Sequence, residues 1–268
     1  MKKLLAALLA MVMTMGLLTA CGGGEAAEEA TAVVTEDGAS AALADGVLTV
    51  GTNAEFPPFE YVNDAGEPDG FDIALIKAIG EKLGVEVVVE NMEFASLISS
   101  IGSKIDVSIA GMTVTEERKQ SVDFSNSYYE AVQYVILPTD SPIATAEDLK
   151  NKAIGVQLGT TGDFIASDIE GAVVSQYNKA VDAVNDLING RVDCVIIDKN
   201  PALVFEGKFE GQVVAVDGAQ FEFEAEEYAI AMPKGDAALV EQINTALEEI
   251  KADGTFDKLV KTYIEGEE

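Results

Sequence analysis

Apolar residues follow two rhythms that take turns along most of the chain. Short β-branched runs predict strands at Val47–Thr52, Val85–Val89, Ile105–Ala110, Val132–Leu137, Ala153–Val156, Val173–Tyr177, Val192–Ile197 and Tyr228–Met232. Between them the period lengthens. Phe71, Leu75, Ile79 and Leu83 recur every fourth residue with Ile76 on the same side, which predicts an amphipathic helix closed by Gly84. Further helices are predicted over Ala95–Ile101, Thr115–Gln120, Thr161–Ser167, Ala180–Asn189 and Lys199–Glu206. Two more, Ala237–Ala252 and Thr255–Ile264, are separated by Asp253-Gly254. Strand and helix alternate in two successive series. That order predicts an α/β fold with two mostly parallel sheets flanked by helices, hence two lobes.

Neither rhythm holds at the start of the chain. Lys2 and Lys3 precede Leu4–Leu18, an uncharged run of 15 residues that suits a signal peptide over residues 1–20. It is short for a bilayer span, which needs roughly 20 residues. Leu18-Thr19-Ala20-Cys21 is similar to the lipobox of bacterial lipoproteins, which implies cleavage before Cys21 and acylation of that residue. Gly22–Ala44 has no aromatic residue and no period, and its acids (Glu25, Glu28, Glu29, Glu36, Asp37) have no basic partner. Residues 21–45 are therefore expected to be a lipidated, flexible linker.

Composition removes several classes of function. A net charge of −30 argues against nucleic acid as a partner. The absence of histidine excludes Ser-His-Asp and Cys-His nucleophile systems and every histidine-based metal site. No phosphate-binding or dinucleotide fingerprint occurs, so neither metal nor cofactor is expected. If Cys21 is acylated, Cys194 has no partner; Val192, Cys194 and Ile196 alternate on one strand face, which predicts a buried, inert thiol.

Ligands of open α/β sheets bind beyond the carboxyl ends of the strands. That rule nominates Asn53 and nearby Phe56, then Gly111-Met112-Thr113, then Gln157 with Gly159-Thr160-Thr161, then Asp198. Two of these turns are expected to lead into helix N-termini, whose free amides favour an anion. Arg118 lies just beyond Thr113, in the first turn of the helix predicted there. One guanidinium, one carboxylate and two groups of amides complement a zwitterion.

At these residues the chain resembles the polar amino-acid-binding proteins of bacterial ABC importers, a family with a two-lobed, type II periplasmic-binding-protein or Venus-flytrap fold. The resemblance rests on Gly51–Phe59, Gly70-Phe71-Asp72-Ile73, Gly111–Thr113 with Thr115 and Arg118, Asp123–Ser125 with Tyr128-Tyr129, Gly155–Gln157 with Gly159–Thr161, and Gly190–Asp193 leading to Asp198. It implies that Arg118 grips the ligand α-carboxylate, aided by the Thr113 and Thr161 amides. Asp198, the Gly111 carbonyl and the Thr113 hydroxyl would receive the α-ammonium. Phe56 and Phe94 would sandwich the ligand stem. It further implies lobe 1 over residues 46–130 and 227–268, lobe 2 over residues 131–226, and hinges near Tyr129–Gln133 and Glu224–Tyr228.

The function implied is a monomeric, lipid-anchored protein on the outer face of the membrane. It would carry a free L-amino acid to an ABC permease. Cation-binding members often carry Asp where this chain has Asn53. Glutamine-binding members can carry Lys and His where it has Gln157 and Ile197. Asn53, Gln157, Met112 and Thr160 are expected to complete the site, with Glu55 its one nearby acid. A glutamine-like or arginine/lysine-like ligand is expected, and an acidic one is not. The alternative is a dehydratase-like enzyme on the same fold, with Asp198 or Glu55 moving a proton.

Overall fold

The computed structural model describes residues 40–266. The signal peptide, Cys21 and the linker up to residue 39 lie outside the described residues. The chain enters on a short 3-10 turn, Ala41–Leu43, and Ser40 is tied down: its Oγ donates to Asp236 (2.6 Å) and its amide to Gln242 Oε1 (3.1 Å). The linker expected to reach residue 45 is thus already docked at Ser40, because two polar side chains near the start of a later helix take up its backbone and hydroxyl.

Strand β1 (Val47–Thr52) leads into a small antiparallel sheet of β2 (Glu55–Phe56), β3 (Glu60–Val62) and β4 (Pro68–Asp69). Helix α1 (Phe71–Leu83) ends at Gly84, whose φ of 72° is the left-handed conformation that a C-cap requires. Then come β5 (Glu86–Asn91), the single turn α2 (Leu97–Ser100), β6 (Val107–Ser108) and β7 (Val122–Phe124). The long β8 (Tyr129–Pro138) carries the chain into a second series: β9 (Ala153–Gln157), α3 (Thr161–Asp168), β10 (Val173–Tyr177), α4 (Ala180–Ile188), β11 (Cys194–Asp198), α5 (Lys199–Lys208) and β12 (Val213–Asp217). Strand β13 (Ala225–Tyr228) returns to the first series and is followed by β14 (Ala231–Pro233), α6 (Ala237–Ala252) and α7 (Thr255–Leu259), which runs on as a π-turn over Val260–Glu265.

Two lobes result, each with a sheet flanked by helices. The first sheet has the order β5-β1-β6-β14-β7, the second β10-β9-β11-β8-β12. Each contains the expected parallel triplet, β5-β1-β6 and β10-β9-β11. The rest departs from the mostly parallel expectation: β14 runs antiparallel to β6 and β7, and β8 antiparallel to β11 and β12. The antiparallel strands come from the segments that connect the lobes, a long-range arrangement with no local apolar period. Strands β8 and β13 pair with each other from Tyr129↔Tyr228 to Val132↔Ala225. They form the two-stranded ribbon between the lobes.

Each sheet is buried by helices whose apolar stripes were visible in sequence. Leu48 and Val50 of β1 pack with Leu75, Ile76 and Ile79 of α1 and with Ile243, Leu247 and Ile250 of α6. In the second lobe Ile154, Val156, Cys194 and Ile196 pack with Ala166 of α3 and with Phe221. Cys194 is fully buried, but so are Val195 and Ile197 on the opposite face, because β11 is an interior strand covered on both sides. The helix expected over Thr115–Gln120 is reduced to a 3-10 turn, Arg118–Gln120. Its N-terminus is therefore not the anion site that the sequence suggested.

Candidate ligand-binding site

A narrow, nearly closed crevice lies at the carboxyl ends of the parallel strands. Asn53 follows β1, Ala110, Gly111 and Thr113 follow β6, Gln157 ends β9, Thr161 opens α3 and Asp198 ends β11. Thr160 caps α3, its hydroxyl accepting from the Asp163 amide. Phe56, Phe94 and Arg118 line it as expected, and Glu60 joins them. Gly111 sits at φ 53°, and a Cβ there would lie 3.0 Å from the Phe56 ring, so only glycine lets the backbone approach the aromatic wall.

Arg118 is almost wholly buried. Its Nη1 donates to the Thr113 carbonyl (2.6 Å) and its Nη2 to the Gly159 carbonyl (2.9 Å), so the guanidinium spans both lobes. Phe94 and Phe164 lie over it at 5.4 and 5.9 Å. Burial lowers its pKa to about 10, a value that leaves it charged at neutral pH; Glu226 and Asp198 oppose the shift. Across the crevice Asp198 accepts a hydrogen bond from the Tyr228 hydroxyl. Burial and then the negative charge of Glu226 push its carboxyl up to about 7, against the hydrogen bonds of Tyr228 and Gln133. A buried acid raised this far is ready to ionise against an incoming cation.

Glu60 is the residue that sequence reasoning missed. It is 0 % exposed and lines the crevice; its carboxyl oxygens accept from no donor, and its polar neighbour is the Asp72 carboxyl. Beneath it Asp72 accepts from the Gly111 amide (2.8 Å) and the Tyr128 hydroxyl (2.9 Å). Burial, and then the Asp72 charge, raise the Glu60 carboxyl well above its ordinary range; Asp72 itself is raised to about 6, mainly by burial. No local signal marked Glu60. It follows the core residue Phe59 and opens β3, and only the fold of the small sheet turns it inward.

Two expected site residues stand elsewhere. Glu55 is paired with Lys179 at the lobe boundary and does not line the crevice. Met112 is fully buried in the core of lobe 1 with Leu97, Ile105 and Ala231, because the turn after β6 points its side chain away from the cleft. Asn53 and Gln157 are present but partly occupied: Gln157 Nε2 donates to Asn53 Oδ1 (2.8 Å), and Asn53 Nδ2 donates to the Met92 carbonyl (2.9 Å). A larger open groove beside α6, lined by Val240 and Asn244, contains none of the strand-end residues. Size alone does not pick out the site.

A closed cleft between two α/β lobes, lined by one buried cation and flanked by buried acids, defines a binding protein for a small charged solute. The chain belongs to the family described as bacterial extracellular solute-binding proteins, family 3, which it matches over residues 48–266. It is 35% identical to the arginine-binding extracellular protein ArtP of Bacillus subtilis (strain 168) over the full length of both chains. Among solved structures it is similar to an ancestral arginine-binding protein bound to arginine, with 43% identity, a TM-score of 0.77, and 82% of this chain and 98% of that chain covered. It is also similar to the arginine-, lysine-, histidine-binding protein ArtJ from Geobacillus stearothermophilus, with 34% identity, a TM-score of 0.75, and coverage of 82% and 96%. These relatives are binding proteins, and the dehydratase-like alternative finds no support among them.

Proposed function

We propose that this protein captures a free basic L-amino acid, arginine above all, and delivers it to an ABC permease. The observation that carries the reading is Glu60, a fully buried carboxyl on the crevice wall that accepts no hydrogen bond from any protein donor and has the Asp72 carboxyl beside it. Burial and the neighbouring Asp72 favour the neutral form of this carboxyl in the empty crevice, and a ligand cation would draw it to its ionised form. Arg118 is the only cation among the lining residues, so the local charge favours a ligand that is net positive. In this arrangement Arg118 and the amides of Thr113 and Thr161 hold the α-carboxylate. Asp198, the Gly111 carbonyl and the Thr113 hydroxyl take the α-ammonium. Phe56 and Phe94 flank the stem, and Glu60 receives the guanidinium or ammonium at its far end. The glutamine-like alternative would leave Glu60 to accept only neutral hydrogen bonds.

The lobes are taken as residues 46–130 with 227–268, and residues 131–226, divided within the paired strands β8 and β13. Cleavage before Cys21, acylation there, a monomeric state and a location on the outer face of the membrane complete the proposal. Among the described residues no helix is long and apolar enough to cross a membrane; the attachment proposed is the acyl group on Cys21.

Calorimetry against arginine, lysine, histidine, glutamine and glutamate tests the reading, with Glu60→Gln in parallel. Breaking a buried charge pair costs roughly 2–5 kcal/mol, on the order of thirty-fold or more in affinity. Glu60→Gln should therefore weaken arginine by at least that factor and glutamine by much less. Tighter binding of glutamate than of arginine by the wild type would overturn the proposal. Conversion of the bound amino acid to another product would return the enzyme alternative.

A further inference from the structure

Thr113 and Thr161 stand in different lobes, one after β6 and one at the start of α3. Their hydroxyls nonetheless meet at one atom. Thr113 Oγ1 donates to Glu226 Oε2 at 2.7 Å, and Thr161 Oγ1 donates to the same oxygen at 2.8 Å. Gln133, fully buried on β8, donates to Thr161 Oγ1 (3.0 Å) and more distantly to Glu226 (3.3 Å). Glu226 lies on β13, one of the two strands that join the lobes.

Glu226 does not line the ligand crevice. Thr113, Thr161 and Glu226 together line a separate, solvent-open groove on the outer side. The two threonines therefore form the wall between crevice and groove, and Glu226 fastens that wall from behind. With its proton fixed on Glu226, the Thr113 hydroxyl can only accept from a ligand, and the Thr161 hydroxyl already accepts from Gln133, so the two threonines meet a ligand carboxylate through their backbone amides.

We propose that Glu226 is a positioning residue for the ligand site: from the hinge ribbon it draws one threonine of each lobe to a single oxygen, and so holds the two halves of the α-carboxylate subsite in register when the cleft is closed. The inference rests on the reading of the crevice as an amino-acid site. It concerns a residue that does not touch the ligand. The competing expectation has the opposite sign. If Glu226 acted only through its charge, it would repel the ligand carboxylate and compete for Arg118, and removing it would tighten binding.

The test is arginine affinity, by calorimetry, in the full-length protein. Glu226→Ala should weaken binding by on the order of tenfold or more, the effect expected for losing hydrogen bonds to a charged acceptor. Glu226→Gln keeps an oxygen able to accept both hydroxyls and should bind within about threefold of wild type, a rescue that a pure charge effect would not permit. Thr161→Val should lose a similar factor, and Glu226→Ala combined with Thr161→Val should bind about as the weaker single variant, since partners in one network do not add. Melting temperatures of the ligand-free variants check that each is folded. Unchanged or tighter binding by Glu226→Ala, failure of the Gln rescue, or multiplication of the two single losses would each overturn the inference. If the wild type binds no free amino acid, the reading of the crevice fails and this inference falls with it. If the wild type binds normally and the coupling is absent, only this inference is lost.

Discussion

Asp198 is held by opposing influences that pH can separate. Burial and the charge of Glu226 raise its carboxyl to about 7, while the Tyr228 hydroxyl and the Gln133 amide favour the ionised form. Arg118 is the one cation that faces it from the other lobe. In the ligand-free protein a raised carboxyl contributes stability that is fully present below its unfolded value near 4 and is lost as pH rises through about 7. Ligand binding has the reverse sign, because an ammonium needs the ionised carboxylate. Affinity for arginine should fall as pH drops from 7 to 5, by up to about tenfold per unit for Asp198 alone, and the fall should shrink in Asp198→Asn to the share owed to Glu60. A pH-independent affinity in the wild type would show that Asp198 does not receive the α-ammonium. The partner residue is read with lysine: Arg118→Lys keeps the charge but not the two-pronged geometry, and should still lose on the order of thirty-fold or more in affinity. Cys194 lies at the other extreme. Its thiol is fully buried and pushed up to about 12 by burial, so the native protein should resist thiol-specific alkylation until unfolded. Labelling at the rate of an exposed cysteine would contradict the place assigned to β11.

The elements owe their ends to single residues. Helix α6 is capped by Asp236, which accepts from the Leu239 amide (3.0 Å) through one oxygen and from Ser40 Oγ (2.6 Å) through the other. That residue thus starts a core helix and anchors the entering chain at once. Asp236→Ala should lower stability by roughly 1–2 kcal/mol, at or above an ordinary cap loss because the Ser40 bond goes too. Ser40→Ala alone should cost less, and chemical denaturation of both variants checks the order. Helix α3, capped by Thr160, delivers Thr161 to the crevice wall. The corresponding turn in lobe 1 is only a 3-10 turn, so both helices that start at the crevice, α3 and the Asp198-capped α5, belong to lobe 2.

On the proposed reading the lobes change their arrangement about the ribbon of β8 and β13. In the closed form described here the lobes touch through Arg118 to the Gly159 carbonyl, Gln157 to Asn53, and Lys179 to Glu55. The last pair is partly exposed and is worth little in water. A bound amino acid would add contacts to both lobes at once and shift the population toward closure. Arginine should therefore reduce the radius of gyration seen by small-angle scattering. It should also raise the melting temperature, the equivalent of about 2.7 kcal/mol at a hundred times the dissociation constant. An open ligand-free protein that stays open at saturation would rule out the hinge.

The sequence by itself determined what depends on neighbours along the chain. The four-residue apolar spacing of Phe71, Leu75, Ile79 and Leu83 with Gly84 after it marks α1, and the run at Val173–Tyr177 marks β10 to the residue. The strand-end rule, together with the motifs that resemble a family, brought Asn53, Gly111, Thr113, Arg118, Gln157, Thr161 and Asp198 to notice, and these converge on one crevice. Tertiary structure alone decided the rest. Strand β7 is only three residues paired across a long separation, which leaves it no periodic signature, whereas β14 falls partly within the predicted run Tyr228–Met232. Glu55 and Glu60 are both acids in the same short loop-and-strand segment, and sequence favoured the first. The fold pairs Glu55 with Lys179 from the other lobe and turns Glu60 inward, against Asp72. Whether a carboxylate meets a lysine or an empty crevice depends on residues more than a hundred positions away or on the other side of a small sheet, and no local pattern encodes that.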